Sequence, residues 1–244
     1  MKKHLLSTLA AVLFSFTLCA QDGDSKSSIF YNGSSYGFHW SWKKKATKAR
    51  EAHWSGLGFA FSNWKGLEDV DLRLNRSYSV VWNFGSYTIP IDHHWLFTTG
   101  LGFDWSRYHF KGDMGLREKD RLTQFLPDSE GRSYRDSKFL AYYATIPLLL
   151  EYQTKAGHKT FFIYGGVEGM INLYSKSQVE IRTPEGIKKA HNKDLNVLPL
   201  NYRFTARIGF DGFSLFGYYQ PNSPFEKGKG PDVQPYGMGV MLKF

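Results

Sequence analysis

From His53 to the last residue, apolar side chains recur at every second position, in eight successive runs. A period of two is that of a strand with one apolar face, not of a helix. The last run is the plainest. In Gln234–Phe244, residues Tyr236, Met238, Val240, Leu242 and Phe244 share one face, and Gly237, Gly239, Met241 and Lys243 share the other. In water, a strand with a bare apolar face and a bare edge invites aggregation. Pairing it with the first strand removes the edge, and lipid covers the face. The expectation is an all-β chain, an eight-stranded antiparallel transmembrane β-barrel of the outer membrane closed by this strand. Tyr236, Met238, Val240, Leu242 and Phe244 would be its assembly signal.

The other runs are read as follows. Residues 53–63 set Leu57, Phe59 and Phe61 against Gly56, Gly58 and Ala60. Residues 77–89 set Tyr78, Val80, Trp82 and Phe84 against Ser79, Val81, Asn83 and Gly85. Residues 94–110 set Trp95, Phe97, Leu101, Phe103 and Trp105 against Thr98, Gly100, Gly102 and Asp104. Residues 137–154 alternate Leu140, Tyr142, Ile146, Leu148, Leu150 and Tyr152 with Tyr143, Thr145, Glu151 and Gln153. Residues 160–181 send Phe161, Ile163, Val167, Ile171 and Leu173 out, and Tyr164, Glu168, Asn172 and Tyr174 in. Residues 198–211 send Tyr202, Phe204, Ile208 and Phe210 out, and Asn201, Arg203, Thr205, Arg207 and Asp211 in. Residues 213–220 set Phe213, Leu215 and Tyr219 against Ser214 and Gln220. The polar and small faces must look inward, because hydrocarbon cannot solvate them.

The connections alternate in length. Short ones stand at Pro90–His93, at Thr154–Lys159 and at Asp211–Gly212, an Asp-Gly hairpin turn. Longer ones stand at 64–76, 111–136, 182–196 and 221–233. In outer-membrane barrels the short turns are periplasmic and the long loops face outside.

Ahead of the barrel, Lys2, Lys3 and His4 precede an apolar run of about fourteen residues, Leu5 to Leu18. The run is too short for a membrane-spanning helix and reads as a secretory signal peptide, 1–20, cleaved after Ala20. Anchoring at Cys19 as a lipoprotein is the alternative, but Leu18 is larger than the residue expected before such a cysteine. Cys19 is the only cysteine, so the processed chain has no disulfide, thiol nucleophile or thiolate metal site. Residues 21–52 read as a periplasmic tail, aromatic at Phe30, Tyr31, Trp40 and Trp42 and basic at Lys43, Lys44, Lys45, Lys48 and Arg50. Its aromatics suit the barrel mouth or the inner leaflet. Residues 53–244 form the barrel. The net charge of +9 in an exported chain suits anionic headgroups rather than nucleic acid, or simply solvates the loops and the tail.

Several blocks carry a family resemblance: His53-Trp54-Ser55-Gly56, Thr99–Phe103, Ile146–Gln153, Thr205–Gly209 and Pro224–Pro231. With them the chain from about residue 43 resembles the PorT-like outer-membrane β-barrel proteins of the Bacteroidetes. The resemblance implies an outer-membrane barrel and brings no site residues. Some members bearing that label act in protein secretion and gliding.

Candidate sites follow from the inward face. Asp104, Glu151, Glu168, Arg203, Arg207, Asp211 and Lys243 are expected to form a polar network in the lumen. Arg203 and Arg207 would be its centre, paired with carboxylates of neighbouring strands. Eight strands leave an interior just wide enough for side chains, which favours filling over conduction, with a narrow pore as an alternative. The loop 111–136 carries mixed charge and suits binding. An enzyme that remodels lipid A acyl chains is the other alternative, with His109, Asp128 and Ser129 as the residue types available. His93, His94, His158 and His191 lie in turns or loops and make no metal motif. No cofactor motif appears. The expected role is structural or interaction-based, in an envelope or protein-secretion complex. The expected partners are outer-membrane lipid and lipopolysaccharide, the barrel-assembly machinery and other envelope proteins.

Overall fold

The computed structural model describes residues 51–244 except 68, 69, 129, 184, 185, 194 and 244. The signal peptide, tail residues 21–50, Ser129 and Phe244 lie outside the described residues. The elements are β1 (Gly56–Lys65), β2 (Tyr78–Pro90), β3 (Trp95–Phe110), β4 (Gly115–Lys119), β5 (Leu122–Leu126), β6 (Tyr134–Ala156), β7 (Lys159–Thr183), β8 (Gly186–Asn192), β9 (Leu200–Phe210), β10 (Phe213–Tyr219) and β11 (Gln234–Leu242).

Eight of these strands form a closed antiparallel ring, in the order β1-β2-β3-β6-β7-β9-β10-β11. Closure comes from β11 on β1, with Leu57 opposite Leu242 and Phe61 opposite Met238. The ring satisfies the backbone of every strand through its neighbours, as hydrocarbon requires. Alternation then sorts the side chains. Leu57, Phe59, Phe61, Phe204, Ile208, Leu215 and Met238 are exposed, while Ser62, Ser79, Asp104, Glu168 and Arg203 are buried inside. An apolar belt running round the whole ring far exceeds the patch a soluble monomer exposes. Aromatic residues gather at its two ends. Phe61, Tyr78, Trp105, Tyr142, Tyr202, Tyr219 and Tyr236 stand toward the long connections, and Trp95, Tyr152, Phe161, Phe210 and Phe213 toward the short turns.

Three bulges break the strict alternation, one of them at Arg135 near the start of β6. Gly85, at φ 60, sits in the irregularity between Phe84 and Ser86 of β2. Tyr87 and Ile89 consequently face out, although Val81 and Asn83, of the same odd parity, face in. On β7, Leu173 is extra between Asn172, opposite Tyr143, and Tyr174, opposite Tyr142. Tyr174 therefore stacks on the outward Tyr142, with ring centroids 5.7 Å apart. The inward assignment of Tyr174 is thereby corrected, since a one-residue insertion exchanges the faces beyond it.

The long connections contain more strand than their polar composition suggests. Within 111–136, β4 and β5 form a hairpin whose turn residues Asp120 and Arg121 have φ 54 and φ 62. Two positive φ values are the turn geometry that hairpin twist favours. Within 182–196, β7 continues to Thr183 and β8 returns alongside it, pairing Ser177 with Asn192. At 25 residues, β7 is far longer than the roughly 9–11 residues a membrane strand needs. The upper parts of β6 and β7, together with β8, thus form a wall that rises above the membrane on one side of the ring.

Candidate functional site

The lumen is filled in tiers. At the short-turn end, residues ahead of β1 turn into the barrel instead of extending it, which corrects the strand start from His53 to Gly56. His53 and Trp54 are buried there. Small inward residues make the room: a Cβ on Gly100 would come within 2.9 Å of the Trp54 indole. Trp54 Nε1 donates to the Leu101 carbonyl at 3.2 Å. The His53 backbone N–H donates to Glu151 Oε2 at 3.1 Å, and His53 Nδ1 lies 2.6 Å from Glu151 Oε1. Gln153 Nε2 donates to Glu151 Oε1 at 2.7 Å and to the Glu51 carbonyl at 3.0 Å. The imidazole stacks on Phe162, centroids 4.0 Å apart.

Arg207 closes this tier from above. Its Nη1 donates to the carbonyls of His53 at 2.9 Å and Trp54 at 3.4 Å. Its guanidinium lies 4.8 Å from the Tyr164 ring centroid. No ion pair joins Arg207 to a carboxylate among the described residues, so its expected carboxylate partner is replaced by carbonyls and aromatic faces. Glu151 is held by the peptide segment itself.

The middle tier is an ion cluster. Arg203 Nη2 is 2.6 Å from Glu168 Oε2, and its Nη1 is paired with Asp104 Oδ2. All three side chains are buried, which is tolerable because each charge is paired. Ser106 donates to Asp104 Oδ1 at 2.6 Å. Ser106, Ser79, Ser62 and the Tyr218 hydroxyl continue in a chain of contacts of 2.7–2.9 Å. The Tyr218 ring lies 4.6 Å from the Arg203 guanidinium. In the sequence, only inward parity marks these four hydroxyls.

Two expected members stand elsewhere. Asp211 is exposed in the β9–β10 turn, where its Oδ1 accepts the Thr160 N–H at 2.8 Å. Lys243 lies past the end of β11, with its Nζ 3.8 Å from Glu51 Oε2 at the mouth. Asp104, Glu151, Glu168, Arg203 and Arg207 share the interior but in two groups, one around Arg203 and one around the 51–54 segment.

The upper tier is apolar. Trp64, Tyr108, Phe110 and Phe139 from the strands meet Val70 and Leu72 of the first long loop, Leu195 and Phe225 of later loops, and Val233. Full burial of one such side chain contributes about 1.5–3 kcal/mol. The block Pro224–Pro231 is the latch. Phe225 inserts beneath, the Glu226 N–H bonds the Asn196 carbonyl at 2.8 Å, and a Cβ on Gly230 would strike Phe225 at 2.6 Å. Asn196 Nδ2 donates to the Arg121 carbonyl at 3.0 Å, and the Thr123 N–H to the Lys229 carbonyl at 2.8 Å. The β4–β5 hairpin is thereby tied to two other loops in one cap.

Of the residues of the enzyme alternative, His109 and Asp128 are each bound to other partners. His109 Nδ1 bonds Asp136 at 3.0 Å, and Ser77 Oγ accepts from the His109 backbone N–H at 2.9 Å rather than from its ring. Asp128 is engaged by Arg132, Nε to Oδ2 2.8 Å, which holds its carboxyl down at about 2.

A closed antiparallel ring with a lipid-covered belt and a packed interior defines a β-barrel of the outer membrane. The chain belongs to the family of the outer membrane protein β-barrel domain, whose model matches residues 49–222. No curated protein matches the chain. Two solved structures of Ail, the attachment invasion locus protein of Yersinia pestis, are similar in fold. One covers 78% of this chain and 99% of its own, at 12% identity and a TM-score of 0.32. The other, in complex with the heparin analogue sucrose octasulfate, covers 78% of this chain and 95% of its own, at 13% identity and a TM-score of 0.31. The protein resides in the outer membrane.

Proposed function

We propose that this barrel is a non-enzymatic structural or interaction protein of the envelope, working through its outer surfaces and not through its lumen. One observation carries the reading. The interior is occupied by the 51–54 segment, by the Arg203 cluster and by an apolar tier that four loops share. That weighs against the narrow pore. Tying the loops into one cap favours a surface of fixed shape, which suits recognition. Its setting is an envelope or protein-secretion complex, in keeping with the resemblance to PorT-like barrels. Its partners are other envelope proteins, the barrel-assembly machinery acting on the outward Tyr236, Met238, Val240 and Leu242, and outer-membrane lipid with lipopolysaccharide. The lipid-modifying alternative is weakened because, among the described residues, no serine or threonine hydroxyl bonds the His109 ring.

Lipid A from a strain lacking the gene, analysed by mass spectrometry, tests the non-enzymatic part. The same acylation pattern as in the parent is expected. A missing or added acyl chain, restored by the gene, would return the protein to the enzymes.

A further inference from the structure

The wall above the membrane carries a feature that the lumen and the cap leave unused. Trp105, Tyr142 and Tyr174 stand in register across β3, β6 and β7, facing out at the upper aromatic girdle. One step higher, Arg107, Leu140 and Lys176 stand in register on the same strands. Two residues along a strand rise roughly 7 Å, from the girdle into the headgroup layer. Lys193 follows the last β7–β8 pair, Ser177 with Asn192, and so lies beside Lys176. The Nζ atoms of Lys176 and Lys193 both approach the Tyr174 ring, at 6.0 Å and 5.9 Å from its centroid. Arg107 lies over Tyr78 at 5.4 Å.

Two ammonium groups beside one ring repel each other, and an anion between them would offset that repulsion. Among the described residues, none of these three cations forms an ion pair. Two outward carboxylates of the same strands are already engaged: Asp136 by His109 and Lys138, at 3.0 Å and 3.3 Å, and Glu180 by Lys189 at 3.7 Å. Among the described residues, the three cations therefore face the lipid headgroups with aromatic rings and no carboxylate as partners.

We infer that Arg107, Lys176 and Lys193 form a binding site for the phosphate groups of an outer-leaflet glycolipid, with Tyr174 and Tyr142 packing against the sugar–acyl boundary. The site deepens the lipid partnership proposed above. Its failure would leave the belt's contact with acyl chains standing, since that contact involves no phosphate.

The test is a titration of the purified full-length protein with bis-phosphorylated lipid A, read by native mass spectrometry. Its comparisons are the triple variant Arg107→Gln/Lys176→Gln/Lys193→Gln and an equal-charge control, Lys119→Gln/Lys155→Gln/Lys159→Gln. Each basic side chain at an anionic lipid surface is worth about fivefold in affinity, so the triple variant should lose on the order of a hundredfold. The control should stay near the native protein. Lipid A stripped of its phosphates should bind the native protein at least about tenfold more weakly, and inorganic phosphate should not displace the phosphorylated lipid.

A loss under tenfold in the triple variant overturns the site. So does an equal loss in the control, undiminished binding of the phosphate-free lipid, displacement by inorganic phosphate, or no retention by the native protein. Should heat-modified gel migration show the triple variant unfolded, the single variants Lys176→Gln and Lys193→Gln are read against about fivefold each. No loss in either overturns the site equally.

Discussion

Arg203 and Arg207 sit four residues apart on one face of β9, yet their surroundings differ in kind. Arg203 neutralises two buried carboxylates, Asp104 and Glu168. Arg207 serves two backbone carbonyls and lies among aromatic rings, and its Nε finds no acceptor among the described residues. Removing one partner from a buried ion cluster costs about 3–5 kcal/mol, because the remaining charges stay desolvated. Removing a charged donor from neutral acceptors costs about 1.5–3 kcal/mol. Arg203→Gln is therefore expected to lower the urea midpoint of the barrel in lipid vesicles clearly more than Arg207→Gln. An equal or reversed order would show that the cluster around Arg203 is not what holds the middle of the lumen. The inward direction of both residues was legible in the sequence. Their partners were not, because Arg203 meets residues 35 and 99 positions away, which only the closed ring brings together.

At the scale of elements, the eight membrane runs were legible because hydrocarbon forces an apolar residue onto every outward position. Where strands leave the hydrocarbon that pressure ends, and so did the signal. β8 reads Gly-Ile-Lys-Lys-Ala-His-Asn, with no apolar face, and the β4–β5 turn uses Asp120-Arg121 where Asn-Gly would have marked a hairpin. The bulges were hidden for another reason. Gly85 and Leu173 each fit an alternating pattern locally, and the change of parity shows only in the pairing with the next strand. The β7 bulge is open to test, since Cys19 is the chain's one native thiol. Strict alternation puts residues 172 and 174 on one face. With Leu173 bulged, a membrane-soluble maleimide should label Tyr174→Cys readily and Asn172→Cys poorly. Equal labelling of the two would restore strict alternation and return Tyr174 to the lumen.

For the molecule as a whole, the ring and the outer-membrane location follow from alternation and closure alone. The contents of the ring do not. Residues 51–54 are too few to distinguish a lumen segment from the start of a strand by pattern, although the parity of β1 already puts Trp54 on the inward face. Only the geometry of Arg207, Glu151 and Gln153, converging on that segment from β9 and β6, accounts for its inward turn. The apolar tier was likewise unreadable, because its members come from strand ends and from loops far apart in the chain. Together the tiers make the barrel a solid support for the wall and the cap, and the central claim is that nothing passes through it. Current recorded across planar bilayers holding the purified full chain, with insertion confirmed by heat-modified gel migration, tests this most directly. A flat baseline without ohmic steps is predicted, and recurrent steps of uniform size would contradict it.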